Sequence, residues 1–230
     1  MSISTAETLI WLKRVLSPAR VRLLEVGCGE GELAAELVQR GWEMVAIDLD
    51  PACLAAARAR GVDARQADIA ELNERAFDAV LFSRSLHHVR SLDGALEHAR
   101  AALGPLGQLV CEEFALEAAD AATAEWFYAR LDALERGGQV EPDSDDLPLT
   151  GLAPLERWSL VHVGLHTGAV MLAAVRARFT SVTVGTVPYL YRSIAYRARD
   201  PFVPAEMLSL ESAAIAAGQI QPVGLPIVAR

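Results

Sequence analysis

Short apolar runs alternate with amphipathic stretches through the first half of the chain. The runs at 21–26, 43–48, 77–83 and 107–114 have the length and composition of buried strands, and a weaker strand is predicted at 62–68. In the stretches between them, apolar residues recur every three or four positions, which predicts helices. Strands joined through helices pair in parallel, so the pattern predicts an α/β sheet covered on both faces.

Capping signals mark the ends of several predicted helices. Asp50 followed by Pro51 is an N-cap with proline at the first helical position, and Gly61 ends that helix. Ser91 is placed to cap a further helix that runs to Leu103.

The alternation changes after residue 115. The periodicity predicts helices and strands there as well: helices at 121–138, as one or two segments across 155–179 and at 204–217, and strands at 180–198 and 223–230. No internal repeat or flexible linker divides the chain, so we expect one domain over residues 1–230. Within this domain, strands and helices alternate through residues 1–114. Residues 115–230 add an edge to the sheet and a cover over the substrate side.

Composition and charge narrow the classes of protein. Hydrophobic residues make up 52% and charged residues 22%, as in a globular enzyme. A formal charge of −9, from 21 basic and 30 acidic residues, disfavours a nucleic-acid partner. No apolar run has the length of a membrane span, and the start lacks the features of an export signal, so we expect a cytoplasmic location. Cys28, Cys53 and Cys111 are scattered, which favours reduced thiols over a disulfide framework or a zinc site.

Three glycines interrupt the segment "LLEVGCGEGELAAEL" where the first strand must pass into a helix. Such a turn lies at the carboxyl edge of the sheet, where Gly27, Gly29 and Gly31 would let a ligand lie close to the main chain. A dinucleotide site requires G-x-G-x-x-G, and Glu32 stands at the third glycine position, so a nicotinamide oxidoreductase is disfavoured. Glu30 and Glu32 favour a cationic or zwitterionic ligand. A tight turn without any ligand is the alternative.

"LLEVGCGEG" resembles the first signature of the class I S-adenosylmethionine-dependent methyltransferases, and the resemblance continues through about residue 114. It implies S-adenosyl-L-methionine as cofactor, with S-adenosyl-L-homocysteine as product, bound by residues 1–114. In the resembling family, the position of Asp48 holds the ribose hydroxyls, Leu49 lies against the adenine, and Asp68 accepts from the adenine amino group. The cofactor-binding residues that the resemblance implies are Glu25, Gly27, Cys28, Gly29, Gly31, Asp48, Leu49, Asp68, Ile69, Ser83, Arg84 and His88. A plain helix cap is the alternative for Asp68.

The resemblance also implies a fold and an activity. The expected fold is a Rossmann-like, doubly wound, seven-stranded sheet that is mostly parallel with an antiparallel last strand, plus a helical cover inserted after strand five. The expected activity is methyl transfer to a small molecule, with oxygen favoured over nitrogen and carbon. "SRSL" stands where amino methyltransferases acting on DNA or glutamine carry Asn/Asp-Pro-Pro-Tyr/Phe, which disfavours those acceptors. No membrane partner is expected, and a homodimer is left open. A non-catalytic protein that only binds the cofactor or its product is the alternative.

Candidate catalytic and substrate residues come from both halves. His87, in the segment "LFSRSLHHV" after the fourth strand, is the candidate general base. Glu113, His166, Tyr189 and Tyr191 are candidate substrate contacts, with packing as the alternative for each; the two tyrosines would share one face of a strand. His162 and His166 are four apart in a predicted helix, near Asp143, Asp145 and Asp146, but no metal is expected because Gly164 lies between them.

Overall fold

The computed structural model describes residues 1–16, 21–142 and 151–230. Within them seven strands form one sheet. They are β1 (Arg22–Val26), β2 (Glu43–Asp48), β3 (Ala64–Gln66), β4 (Phe77–Ser83), β5 (Leu103–Phe114), β6 (Val182–Val184) and β7 (Gly224–Ala229).

The sheet has the order β3-β2-β1-β4-β5-β7-β6. Strands β1 to β5 pair in parallel, and β7 runs antiparallel to both β5 and β6. The predicted seven-stranded, mostly parallel sheet with an antiparallel last strand is therefore confirmed. The order of β1 and β4 places their carboxyl ends side by side, where the chain reverses direction across the sheet.

The described helices are α1 (Ile3–Val15), α2 (Glu32–Gln39), α3 (Pro51–Ala59), α4 (Leu92–Ala102), α5 (Ala121–Arg136), α6 (Pro154–Val161), α7 (Gly168–Arg176), α8 (Leu190–Ala195) and α9 (Phe202–Ala216). The predicted caps are present. The side chain of Asp50 accepts from the N–H of Ala52 at the start of α3, and Ser91 accepts from the N–H of Gly94 in α4. No helix in these ranges combines the length and the apolar character that a membrane span requires.

Apolar clusters fill both faces of the sheet. Helices α4 and α7 cover one face, with Leu96 and Met171 fully buried, and α1, α2 and α3 cover the other, with Leu12 and Leu54 fully buried. Each such side chain stabilises the fold by about 1.5–3 kcal/mol. Helices α5, α6, α8 and α9 form a third cluster that begins at Phe114, the last residue of β5. They are the predicted helical cover inserted after strand five.

The predicted long strand at 180–198 is wrong. Only Val182–Val184 is extended, and the chain then turns into α8. The reason lies in α9, where the carboxylate of Glu211 accepts hydrogen bonds from the backbone N–H groups of Tyr189, Leu190 and Tyr191 at 2.6, 2.9 and 3.0 Å. Three donors at the start of a helix are thereby satisfied by one buried side chain. Tyr189 and Tyr191 consequently do not share a strand face.

The predicted helical pairing of His162 and His166 is also wrong. Helix α6 ends at Val161, His162 is its C-cap, and Gly164 has φ = +86° in the turn before α7. A left-handed residue ends the helical repeat, so the two imidazoles are not on one helix face.

Candidate functional site

The three glycines after β1 all have positive φ, of +73°, +53° and +72°, but they serve different purposes. A Cβ atom on Gly27 would lie 2.5 Å from the Cβ of Ser85, and one on Gly31 would lie 2.6 Å from the Cβ of Ala57. These two glycines allow the turn to pack against neighbouring elements. A Cβ on Gly29 would meet no protein atom within 4 Å. Gly29 is therefore the position where bare main chain faces open space.

Asp48, the last residue of β2, is fixed against this turn. Its Oδ2 accepts from the N–H of Gly29 at 2.8 Å, and its Oδ1 accepts from the N–H of Asp50 at 2.9 Å. Each carboxylate oxygen has a second lone pair, so the oriented group can still accept from a ligand.

A cavity of about 540 Å³, which we call the Asp48 cavity, opens beside this carboxylate. The exposed side chain of Leu49 and the buried side chain of Ile69 line it. Asp68 lines it as well, while its Oδ1 accepts from the N–H of Ala70. Asp68 is thus a helix cap that keeps its second oxygen available. The cavity combines apolar surface with two carboxylates, as a nucleoside site requires.

A second cavity of about 640 Å³, which we call the His87 cavity, lies on the other side of the glycine turn. Its wall comes from the glycine turn, the end of β4, the start of α1, and α8. The two cavities share four residues, Gly27, Gly29, Arg84 and His88. They therefore meet along the turn and can hold two parts of one ligand.

Glu25 is a buried acid in the wall of the His87 cavity. Only 3% of it is exposed, and its Oε2 has no hydrogen-bond partner among the described residues. Burial raises its pKa from 4.5 to about 8, and the positive charge of Arg84 opposes this rise. A buried carboxylate without a partner provides a site for a cationic group.

His87 and Glu113 form a hydrogen-bonded pair below the same cavity. Oε1 of Glu113 accepts from the N–H groups of Ser85 and Leu86 at 2.9 and 2.7 Å, and Oε2 contacts Nδ1 of His87. A carboxylate at Nδ1 keeps the proton on that nitrogen and leaves Nε2 as the acceptor. His87 lines the cavity, so an imidazole oriented by a carboxylate borders the space where a ligand could bind.

The other predicted substrate residues have different positions. Tyr189 lines the His87 cavity and stacks on Phe114 with ring centroids 4.8 Å apart. Glu113 and Tyr191 are 1% exposed and outside the walls of both cavities, so neither is placed as a direct substrate contact. His166 is also outside both walls, because its Nε2 bonds the carbonyl of Val89 and its N–H donates to the carbonyl of His87. It braces the turn that carries His87.

The predicted cofactor residues Cys28 and Ser83 line the His87 cavity, and His88 is exposed between the two cavities. No cluster of three His, Cys, Asp or Glu side chains suited to a metal occurs in the described residues. Asp143, Asp145 and Asp146 lie outside the described residues.

Sequence reasoning missed the part of the wall that α1 and α8 supply. Glu112 accepts from Thr8 at 2.7 Å, from Ser83 at 3.2 Å and from Arg192 at 2.7 Å, which ties both helices to the sheet. Ser4 and Thr8 are four apart and buried in an otherwise amphipathic helix. The spacing of Ser4 and Thr8 on one face of α1 was the sequence feature that could have predicted this contact.

The acids around the glycine turn have partners that the sequence did not indicate. Glu32 accepts from Ser2 at 2.6 and 2.8 Å and from Thr5 at 2.8 Å, which fastens the start of α1 over the turn. Glu30 pairs with Arg60 at 3.2 Å. Glu25, in β1 just before the turn, is therefore the nearby acid with a buried oxygen that has no partner among the described residues.

Comparison with known proteins places this geometry in a family. Residues 7–144 match the model of a methyltransferase domain. The chain is 42% identical over 94 residues to the uncharacterized methyltransferase Rv0089 of Mycobacterium tuberculosis. This match covers 38% of the present chain and 44% of the relative. It is 40% identical over 77 residues to the ubiquinone biosynthesis O-methyltransferase of Hahella chejuensis. This match covers 30% of the present chain and 32% of the relative. The chain thus spans less than half the length of these curated relatives.

Among solved structures, the fold is similar to that of an S-adenosylmethionine dependent methyltransferase from Mesorhizobium loti. The TM-score is 0.56 at 21% identity, with 96% of each chain covered. This likeness supports the fold. Because the matched methyltransferase domain takes in more than half of the chain, the protein belongs to the methyltransferase domain family.

Proposed function

We propose that this protein is a class I S-adenosylmethionine-dependent methyltransferase that moves a methyl group to an oxygen atom of a small molecule. One observation carries the proposal: the Asp48 cavity and the His87 cavity meet at Gly29, with an oriented carboxylate on one side and an oriented imidazole on the other.

The methyl donor of this fold family is S-adenosylmethionine, and the residues of this chain fit it. Asp48 would accept from the ribose hydroxyls, and Leu49 and Ile69 would flank the adenine in the Asp48 cavity. Oε2 of Glu25, buried without a partner, fits the ammonium of the methionine part. The bound cofactor supplies a methyl group already activated by the positive charge on its sulfur.

His87 would remove the proton of the acceptor hydroxyl through Nε2. Glu113 holds the imidazole in position through Nδ1 and stabilises the charge that the ring gains. The cofactor would supply the methyl group on its sulfur, and the cavity wall would hold the deprotonated acceptor oxygen opposite that sulfur. A base is needed for a hydroxyl acceptor, which favours oxygen. The printed name of the Hahella chejuensis relative also describes transfer to oxygen.

The size of the His87 cavity favours a small acceptor. Helices α1 and α8 form part of its wall, and a volume of about 640 Å³ is typical of a small-molecule site. The net charge of −9 disfavours a nucleic acid as acceptor.

Two measurements test the proposal in sequence. Calorimetry with S-adenosylhomocysteine should detect one site, and NAD should not compete for it. Incubation with S-adenosylmethionine and a panel of phenols, alcohols and carboxylic acids should then yield O-methylated products by mass spectrometry. Binding without methyl transfer to any panel member would instead favour a non-catalytic binding protein, and absence of binding would refute the cofactor assignment.

A further inference from the structure

Two further buried polar atoms in the wall of the His87 cavity have no partner. They are Oγ of Ser4, in α1, and Nε of Arg192, in α8, and neither has a hydrogen-bond partner among the described residues. Ser4 is 3% exposed and Arg192 is 6% exposed. Burying a polar group without a hydrogen bond is costly, so such groups occur in binding sites where a ligand completes them.

The two groups are adjacent and fixed. Nη1 of Arg192 donates to the carbonyl of Ser4 at 3.1 Å and lies 3.3 Å from Oγ1 of Thr8, and Nη2 donates to Glu112 at 2.7 Å. The guanidinium is therefore held by α1 through Nη1 and by β5 through Nη2. Its Nε–H is a buried donor without a partner, on a side chain that is hydrogen-bonded to the backbone of Ser4.

The balance of donors and acceptors in this wall points to the chemistry of the ligand. Glu30 and Glu32 are already paired, and Glu25 fits the cofactor ammonium. Three further groups of this wall can donate: the Nε–H of Arg192, the hydroxyl of Ser4, and the half-buried guanidinium of Arg84, which has no hydrogen-bond partner among the described residues and is shared by both cavities. The cofactor itself carries one carboxylate, which Arg84 would hold at the junction of the two cavities, so Ser4 and Arg192 are left for an acceptor-rich group of a second ligand.

We infer that the acceptor molecule is a small hydroxy acid, whose carboxylate is bound by Ser4 and Arg192 while its hydroxyl meets His87. A carboxylate accepts from a hydroxyl and a guanidinium N–H at once. A singly charged group suits the site because Glu112 already neutralises Arg192. The inference rests on the proposed function, since it assigns the group through which the methyl acceptor is bound.

The experiment uses the protein saturated with S-adenosylhomocysteine and pairs of probes. Each hydroxy acid, 4-hydroxybenzoate, 3,4-dihydroxybenzoate, salicylate and 4-hydroxyphenylacetate, is compared by calorimetry with its own methyl ester. We expect at least one acid to bind about tenfold or more tightly than its ester. A panel in which no acid exceeds its ester overturns the inference.

Variants locate the contact. Ser4→Ala should weaken binding of the acid about tenfold and leave the ester and S-adenosylhomocysteine unchanged. Arg192→Lys keeps a cation for Glu112 but removes the Nε donor; if it fails to fold, Ser4→Ala alone decides. Ser209→Ala, an exposed serine of α9, is the matched control and should have no effect.

The outcomes separate this inference from the proposed function. If wild-type protein does not bind S-adenosylhomocysteine, the proposed function fails. If S-adenosylhomocysteine binds and Ser4→Ala weakens that binding, the two groups hold the cofactor, and only the inference about the acid is overturned.

Discussion

His87 and Glu113 are joined by a hydrogen bond between Nδ1 and the carboxylate, in a pair whose side chains are 6% and 0% exposed. In the turn after β4, the backbone N–H groups of Ser85 and Leu86 donate to the other oxygen of Glu113. The carboxylate therefore fixes both the imidazole and the turn that carries it. This arrangement makes His87 the residue to test first.

We expect His87→Ala to lower kcat by a factor of about 10²–10⁴, because a positioned base contributes that much to proton removal. The affinity for S-adenosylhomocysteine should stay within twofold. Glu113→Gln should lower kcat less, since the amide oxygen can still accept from the turn but no longer stabilises a charged imidazole. Steady-state kinetics and calorimetry give the two readouts. His98→Ala, in α4, is the control, and an unchanged kcat for His87→Ala would remove it as the base.

Asp48→Ala should weaken binding of S-adenosylhomocysteine by about 2–3 kcal/mol, the loss expected for charge-assisted hydrogen bonds to two hydroxyls. Asp50→Asn is the matched control because it changes a neighbouring acid but keeps an N-cap for α3. Calorimetry on both variants distinguishes the roles. Equal affinities for wild type and Asp48→Ala would mean that the ribose lies elsewhere.

Gly29 and Gly61 form a matched pair of glycines. Both have positive φ, +53° and +83°, and neither Cβ would meet a protein atom within 4 Å. Alanine at either position should destabilise the fold by about 1–2 kcal/mol in urea denaturation. Only Gly29→Ala should also weaken S-adenosylhomocysteine binding, because Gly29 lines both cavities. A similar loss of affinity in Gly61→Ala would attribute the effect to strain alone.

The sequence predicted the first half well because its signals are local. The strand predicted at 77–83 is observed at Phe77–Ser83, and the cap at Asp50 and the stop at Gly61 bound α3. Each of these depends on a few consecutive residues. The regularity places the glycine turn at the carboxyl edge of the sheet, whereas the individual cofactor positions were implied by the resemblance to a family.

The second half could not be read in this way because its deciding contacts are distant in sequence. The break before α8 depends on Glu211, about twenty residues further on. The wall of the His87 cavity depends on Thr8 and Arg192, from opposite ends of the chain, which both contact Glu112. The β-branched and aromatic composition of 180–198 favoured a strand, and tertiary contacts overrode that preference.

Glu211→Ala should destabilise the protein by about 3 kcal/mol or more, because three buried N–H groups at the start of α8 would lose their acceptor. Burial raises the pKa of Glu211, and these N–H groups oppose the rise. Glu206→Ala, an exposed acid on the same helix, should change stability little. Urea denaturation compares the two. Equal stability would show that the carboxylate is dispensable for the cap.

Glu25 should make the cofactor-free protein less stable as pH rises. Burial raises its pKa from 4.5 to about 8. Below pH 4.5 the carboxyl group is protonated in both the folded and the unfolded chain, so it does not change the free energy of unfolding with pH. Between the two values the unfolded chain loses the proton while the folded chain keeps it, so the free energy of unfolding falls with pH and levels off above about 8. Glu25→Gln should remove this contribution, and the exposed Glu125→Gln should not, in urea denaturation at pH 5, 6.5 and 8.

The same group should make cofactor binding depend on pH with the opposite sign. Glu25 must ionise to pair with the cofactor ammonium, so affinity for S-adenosylhomocysteine should rise between pH 6 and 8, by up to about tenfold per pH unit. Binding near pH 7 should release a proton, which calorimetry in two buffers of different ionisation enthalpy detects. Glu25→Gln should bind more weakly and without this dependence. If wild-type affinity were constant across the range with no proton released, Glu25 would not be the residue that meets the ammonium.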